Sequence, residues 1–271
     1  MTKKTDRLIK ELTATLFIVE GEITDLIVYD LIESSSKNTT SISTDVISSA
    51  LAKHTGRVSL DEFSAYSKAF NIRVFAIELR DHQDKLHYFK GCFPEVIYKI
   101  GDKIKIIAQP LKSECNYISA LIDEEKQYIW TSQMVVNGRH LSRLLMLKFI
   151  LKITIIVYVL IIIFLYFIAG GLELLFNIKV IIAALLIFLL AAGGGWWLGV
   201  CFDEQNIELE AILIKQGFYN PTMMNLNQYS VEIVDFDRRE SEGAPTLRWM
   251  QYAFRIDLAK KADAEKYGNK K

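Results

Sequence analysis

The sequence lacks an excess of charge of either sign. It has 32 Lys and Arg residues against 32 Asp and Glu residues, so its formal net charge is zero. Proteins that bind nucleic acid usually carry a basic excess, because much of their affinity comes from contacts with phosphates. The composition therefore predicts no nucleic-acid partner.

Cysteine is scarce as well. The three residues, Cys92, Cys115 and Cys201, are odd in number, and their spacing fits no metal site. We expect unpaired thiols in a reducing compartment. The first 17 residues are charged and contain no apolar segment of signal-peptide length, so no cleavable leader is predicted.

Recognisable catalytic motifs are missing. The sequence contains no G-x-x-x-x-G-K, H-E-x-x-H, G-x-S-x-G or C-x-x-C. His82 and His87 have no third ligand nearby, and we interpret them as surface residues. Asp235 and Asp237 would share one face of a predicted strand, but two arginines follow directly, which favours a solvated surface. We predict no enzymatic activity, no metal site and no cofactor.

Charge is nearly absent from the middle of the chain. Between positions 149 and 202 the charged side chains are Lys152, Glu173 and Lys179. Two runs without a charged residue result: 153–172 lies between Lys152 and Glu173, and 180–202 follows Lys179. A bilayer core of about 30 Å needs about 20 helical residues, and hydrocarbon requires every backbone group to be paired within the helix. The sequence therefore predicts a transmembrane helical hairpin over residues 149–202.

The flanks of this hairpin predict its orientation. Basic residues precede the first run and acidic residues follow the second, and the positive-inside rule counts the basic ones. We expect a multi-pass protein of the bacterial inner membrane with both termini in the cytoplasm. Two tryptophans at the end of the second run would lie among the lipid headgroups. The expected topology determinants are Arg139, Arg143, Lys148, Lys152, Glu173, Lys179, Trp196 and Trp197.

The hairpin itself has little that would conduct ions. Neither run contains a charged side chain, which argues against a transporter or channel. The triplet Gly193-Gly194-Gly195 permits close helix contact, and we expect that contact within the hairpin. A homo-oligomer formed through the hairpin, and with it an assembled pore, is the alternative.

The soluble parts are predicted to be β-rich. Residues 1–148 show alternating apolar and polar residues with frequent turns, typical of a small OB-like or SH3-like barrel with a polar and helical insertion at about 31–70. The residues around Gly21 suggest two strands joined by a turn. Residues 203–271 form a cytoplasmic segment with a strand in "YSVEIVDF" and a disordered tail. The predicted fold class is thus an α+β membrane protein, and whether its C-terminal segment packs on the barrel stays open.

The order of these segments resembles a bacterial family of type VI secretion system effectors with an N-terminal β-rich domain and a two-helix membrane hairpin. The resemblance covers about residues 14–200 and includes "YFKGCF", "IGDKIKIIA" and "ALIDEEKQYIW". It implies a place in competition between bacteria. Immunity proteins of such systems are often membrane-anchored too, so the resemblance leaves effector and immunity roles open.

Three functions follow as hypotheses. The first is a resident membrane protein whose cytoplasmic module binds another protein, as an immunity or accessory factor. The second is a delivered effector whose hairpin assembles into a pore, and the third is a membrane-tethered enzyme with an unrecognised site. The first is preferred because both runs are strongly apolar, as suits co-translational insertion, whereas a delivered toxin must first remain in water.

Overall fold

The computed structural model describes residues 2–29, 73–110, 116–131, 135–169 and 178–268. The predicted insertion at about 31–70 lies outside these residues. The predicted turn of the hairpin, with Glu173, lies outside them too. Within the described ranges the fold is α+β: a β-barrel, a helical C-terminal region and two long apolar helices.

Seven strands form one sheet. β4 and β5 are buried at consecutive positions, because one face packs into the barrel interior and the other lies against the helical C-terminal region. The strands are β1 (Phe17–Tyr29), β2 (Arg73–Asp81), β3 (Leu86–Phe93), β4 (Lys103–Pro110), β5 (Asn116–Asp123), β6 (Tyr128–Thr131) and β7 (Ala253–Arg255).

The first five strands close into a barrel, which confirms the predicted barrel. β1 pairs antiparallel with both β2 and β4, β2 with β3, and β4 with β5. The ring closes where β3 runs parallel to β5, with Phe89 opposite Asn116. The barrel interior is filled by aromatic and branched side chains, including Phe75, Phe93 and Trp130.

The N-terminal region differs from its prediction. Gly21 lies inside the single 13-residue strand β1 rather than in a turn. A β-carbon at this position would collide with the carbonyl oxygen of Arg80 on the neighbouring strand. Glycine is therefore used here for a close backbone approach, and the irregularity in β1 is a bulge between Ile23 and Asp25.

Seven α-helices lie in the described residues, together with four short 3₁₀ helices. Two of them, α2 and α3, are long and apolar enough to cross a membrane. Their apolar side chains face outward from the protein, as in a helix that has lipid around it. The helices are α1 (Thr2–Thr15), α2 (Arg139–Ala169), α3 (Ile178–Cys201), α4 (Ile207–Lys215), α5 (Val231–Val234), α6 (Phe236–Glu242) and α7 (Ile256–Tyr267).

The C-terminal region packs on the barrel. The strand β7 extends the sheet by pairing with β6, and α4 packs against α1. Leu209, Leu213 and Phe254 share a buried core with Ile107 of β4 and Ile129 of β6. The barrel and the segment after the helix pair therefore form one globular body.

Two sequence expectations for this region differ from the structure. The predicted strand in "YSVEIVDF" is helical, because the Ser230 hydroxyl accepts a hydrogen bond from Ile233 N and caps α5. Asp235 and Asp237 therefore lie on short helical turns and do not share a strand face. The expected disordered tail is helix α7 from Ile256 to Tyr267, and its Asp263 is buried.

Candidate functional site: the junction of the helix pair and the barrel

The two long helices are held together by glycines at their barrel end. Gly195 and Gly199 are buried on α3, four residues apart, and face α2. A β-carbon added at Gly199 would lie 2.7 Å from Arg143 Cα, and one added at Gly195 would lie 3.1 Å from Ile150 Cβ. Small residues at this spacing let two helix backbones approach closely. Gly193 and Gly194, by contrast, have open space around them.

A buried ion pair joins the start of α2 to Asp203, the second residue after α3. Arg143 Nε donates to Asp203 Oδ1 at 3.0 Å, and Arg143 Nη2 donates to Asp203 Oδ2. The Arg143 side chain is 3% exposed and that of Asp203 is 4% exposed. The guanidinium also lies over the ring of Trp196, with its central carbon 5.5 Å from the ring centroid. One arginine thus holds both ends of the hairpin.

A second ion pair connects α2 with the globular body. The Glu210 carboxylate on α4 accepts from the backbone N–H of Arg139 at 2.7 Å and from its Nε at 2.9 Å. Arg139 Nη2 lies 2.8 Å from Asp6 Oδ1, so this arginine also reaches α1. Burial raises the pKa of Glu210, and the hydrogen bonds and charge of Arg139 oppose that rise. The ionised form of the Glu210 carboxyl group is therefore stabilised by Arg139.

The segment leading into α2 is fixed by backbone contacts. Gly138 N donates to Met224 O at 2.8 Å, and Leu226 N donates to Val136 O at the same distance. Gly138 has no room for a side chain, because a β-carbon there would collide with the backbone of Pro221. The helix pair consequently leaves the globular body through a short, tightly packed connection.

A cavity of about 560 Å³ lies beside this connection, between the barrel ends of α2 and α3. One side is apolar and includes Leu145, Met146 and Phe149; the other carries amide and hydroxyl groups. Asn206 is 3% exposed, and its Nδ2 has no hydrogen-bond partner among the described residues. The lining also includes Val135, Val136, Asn137, Ser142, Gly199, Phe202 and Gln205.

The predicted topology determinants take several different places. Arg139 and Arg143 are buried in the ion pairs described above. Lys148 and Lys152 are exposed on α2, and Lys179 is exposed at the start of α3.

The two tryptophans lie near the end of α3, and their place among the lipid headgroups stays a prediction. Trp196 and Trp197 are 40% and 63% exposed. The acidic partners of Arg139 and Arg143, which are Asp203, Glu210 and Asp6, were not predicted as site residues. The signal that could have identified the first two is the acidic run after the second apolar segment, which a hairpin brings back to the arginines.

No group of three or more His, Cys, Asp and Glu side chains among the described residues could hold a metal ion. His87 Nε2 lies 2.7 Å from Asp81 Oδ2, and this hydrogen bond contributes most to lowering the pKa of Asp81 to about 2. That contact stabilises the turn between β2 and β3. The arrangement at the junction suits anchoring and ligand binding.

Comparisons with known proteins identify no relative. No protein-family model matches the chain, and no curated protein or solved structure matches it significantly.

Proposed function

We propose that the chain is a resident protein of the bacterial inner membrane, anchored by α2 and α3, with both termini in the cytoplasm. Its barrel is an OB-type module that binds another protein, as an immunity or accessory factor linked to type VI secretion. The observation that carries this proposal is the junction: Arg139 and Arg143 join the apolar helix pair to the barrel through buried ion pairs.

The junction favours a resident anchor over a delivered pore. A hairpin that inserts only after delivery needs to separate from its soluble part or to remain shielded until then. Here Arg143, Asp203 and Trp196 bind the helices to each other and to the globular body. Breaking such pairs leaves buried charges uncompensated, which is strongly unfavourable.

The outer surface of the helix pair supports the same choice. Beyond Lys152 on α2 and beyond Lys179 on α3 its exposed side chains carry no charge and are mostly apolar, with Leu160 60% exposed on α2 and Leu190 75% exposed on α3. A water-filled pore assembled from such helices would need a polar stripe along one face. The surface suits lipid contact instead.

The barrel topology supports an OB-type module. A five-stranded Greek-key barrel is the OB architecture, and such barrels bind ligands on the face of their second and third strands. On β3 the side chains of Leu86 and Tyr88 share one face and are 41% and 50% exposed. We assign the protein-binding surface to this face. The link with type VI secretion rests on the resemblance in the order of sequence segments.

The first test is expression of the full chain in bacteria, with growth, membrane potential and carbonate extraction as readouts. We expect normal growth and potential, with the protein retained in the inner membrane after carbonate treatment. Loss of potential would replace the proposal by the pore-forming effector, and release by carbonate would contradict the anchor.

The second test concerns the partner. A photo-crosslinking amino acid at Tyr88 is expected to capture one discrete protein in cells that carry the secretion system. The matched control places the same amino acid at Tyr219, which is 52% exposed on the C-terminal region. Equal products from both positions would contradict the assignment of the surface to β3.

A further inference from the structure

The cavity beside the junction combines an apolar wall with an unsatisfied polar group. Leu145 and Phe149 form part of the wall on α2, and Asn206 contributes a buried amide whose Nδ2 is unpaired among the described residues. Asn137 Oδ1, also in the lining, is buried and unpaired in the same sense. Buried polar groups are nearly always hydrogen-bonded in native proteins, so these two atoms indicate a missing partner.

The position of the cavity indicates what that partner is. Helix α2 has 31 residues, a length of about 46 Å at the usual helical rise, which exceeds a hydrocarbon core of about 30 Å. The first turns of α2 therefore extend beyond the hydrocarbon, and they include Leu145. A cavity at this depth opens to the lipid headgroups and the first methylenes of the acyl chains.

Two lysines lie on the same stretch of α2 as the apolar wall of the cavity. Lys152 follows Leu145 by seven residues and Phe149 by three, so all three lie on one face of α2. Lys148 follows Leu145 by three residues. Helical side chains lean toward the N-terminus of their helix, and here that direction leads to the barrel and the cavity. Both lysines are exposed, and long basic side chains near a membrane boundary extend toward the headgroups.

We infer that this cavity is a binding site for one glycerophospholipid of the cytoplasmic leaflet. Its phosphate lies between Lys148 and Lys152, a polar glycerol or headgroup oxygen accepts from Asn206 Nδ2, and an acyl chain runs along Leu145 and Phe149. The cavity lining contains no charged side chain, so the charge recognition comes from the two lysines alone. The inference rests on the membrane placement proposed above.

The test uses the full chain purified in maltoside micelles with added dioleoyl phosphatidylethanolamine and dioleoyl phosphatidylglycerol, followed by native mass spectrometry. We expect the wild-type protein to retain one lipid. Leu145→Trp fills the cavity and is expected to reduce that retention about tenfold. The control Leu160→Trp places the same side chain on the same helix, away from the cavity, and is expected to keep the lipid.

The outcomes separate this inference from the proposed function. Equal retention by the two tryptophan variants, or none by the wild type, would overturn the lipid site. Competition by inorganic phosphate or by glycerophosphoethanolamine, which has no acyl chains, would identify a free-phosphate site and overturn it too. Membrane fractionation of the same variants distinguishes the two failures: a protein that stays in the membrane but keeps no lipid contradicts only this inference.

Discussion

At the scale of single residues, the arginines at the start of α2 do more than set a charge bias. Arg143 and Asp203 are almost fully buried and hydrogen-bonded to each other. Removing two such charges from water is costly, and their mutual attraction offsets that cost only while both are present. The cost of losing one partner is therefore larger than the cost of losing both.

This asymmetry gives the first prediction. Arg143→Met leaves Asp203 buried and unpaired, and we expect it to lower the free energy of unfolding by about 3–5 kcal/mol. The double variant Arg143→Met/Asp203→Leu removes both charges and is expected to recover most of that loss. Thermal unfolding of the purified protein in micelles measures both effects.

The control for this comparison is Lys4→Met, which changes an exposed basic residue on α1. It is expected to leave the unfolding temperature nearly unchanged. If Arg143→Met proved at least as stable as Arg143→Met/Asp203→Leu, the buried ion pair would not be what stabilises the junction.

At the scale of elements, the glycines of α3 divide into two kinds. Gly199 faces α2, with Arg143 Cα in the way of any side chain, whereas Gly194 faces open space. Replacing glycine by alanine inside a helix usually adds about 1 kcal/mol through helix propensity. Overpacking of a close helix contact costs about 1–3 kcal/mol, which exceeds that gain.

The second prediction compares these two positions. Gly199→Ala is expected to lower the thermal stability of the protein in micelles, and Gly194→Ala to leave it unchanged or to raise it. Because both changes add the same methyl group to the same helix, the difference isolates the contact with α2. If Gly199→Ala proved as stable as Gly194→Ala, the close approach at this position would be contradicted.

How far the sequence could predict these elements depends on how local their cause is. The two apolar helices follow from the length of their uncharged runs, and the barrel follows from alternation along its strands. Gly21 was misread, because a close approach to Arg80 depends on a strand whose pairing partner lies about 60 residues away. The helix after Ser230 was missed because its β-branched residues favour a strand, while a hydroxyl cap starts a helix.

The residues of the junction show the same limit of sequence-based prediction at the candidate site. Arg139 and Arg143 were recognised as basic flanks, but their partners Glu210 and Asp203 lie 71 and 60 positions away in the sequence. Only the pairing of the two helices brings them together. The tryptophan Trp196, predicted as a headgroup anchor, also lies against Arg143, a contact that no local pattern indicates.

At the scale of the whole molecule, the chain leaves one globular body, passes through the helix pair and returns to the same body. Residues before α2 and after α3 share a buried core, as Ile107 and Leu213 illustrate. They must therefore lie on the same side of any membrane that the helices cross. The basic flank, of which Lys148 and Lys152 remain exposed, places that side in the cytoplasm under the proposed function.

Cysteine labelling tests this topology. In a background with Cys115→Ser and Cys201→Ser, the remaining native thiol is Cys92, which is 2% exposed and whose pKa is raised to about 12 by burial. It stays protonated and inaccessible at neutral pH, and so it does not react with maleimides. Glu242→Cys then introduces one exposed thiol on the C-terminal region.

The third prediction concerns which side of the membrane reacts. A membrane-impermeant maleimide is expected to label Glu242→Cys in inverted inner-membrane vesicles and to leave it unlabelled in intact spheroplasts. Asn177→Cys, in the predicted turn of the hairpin, is the matched control and is expected to show the opposite pattern. Labelling of Glu242→Cys from outside the spheroplasts would place the globular body in the periplasm, and labelling of both positions from one side would contradict a hairpin that crosses the membrane.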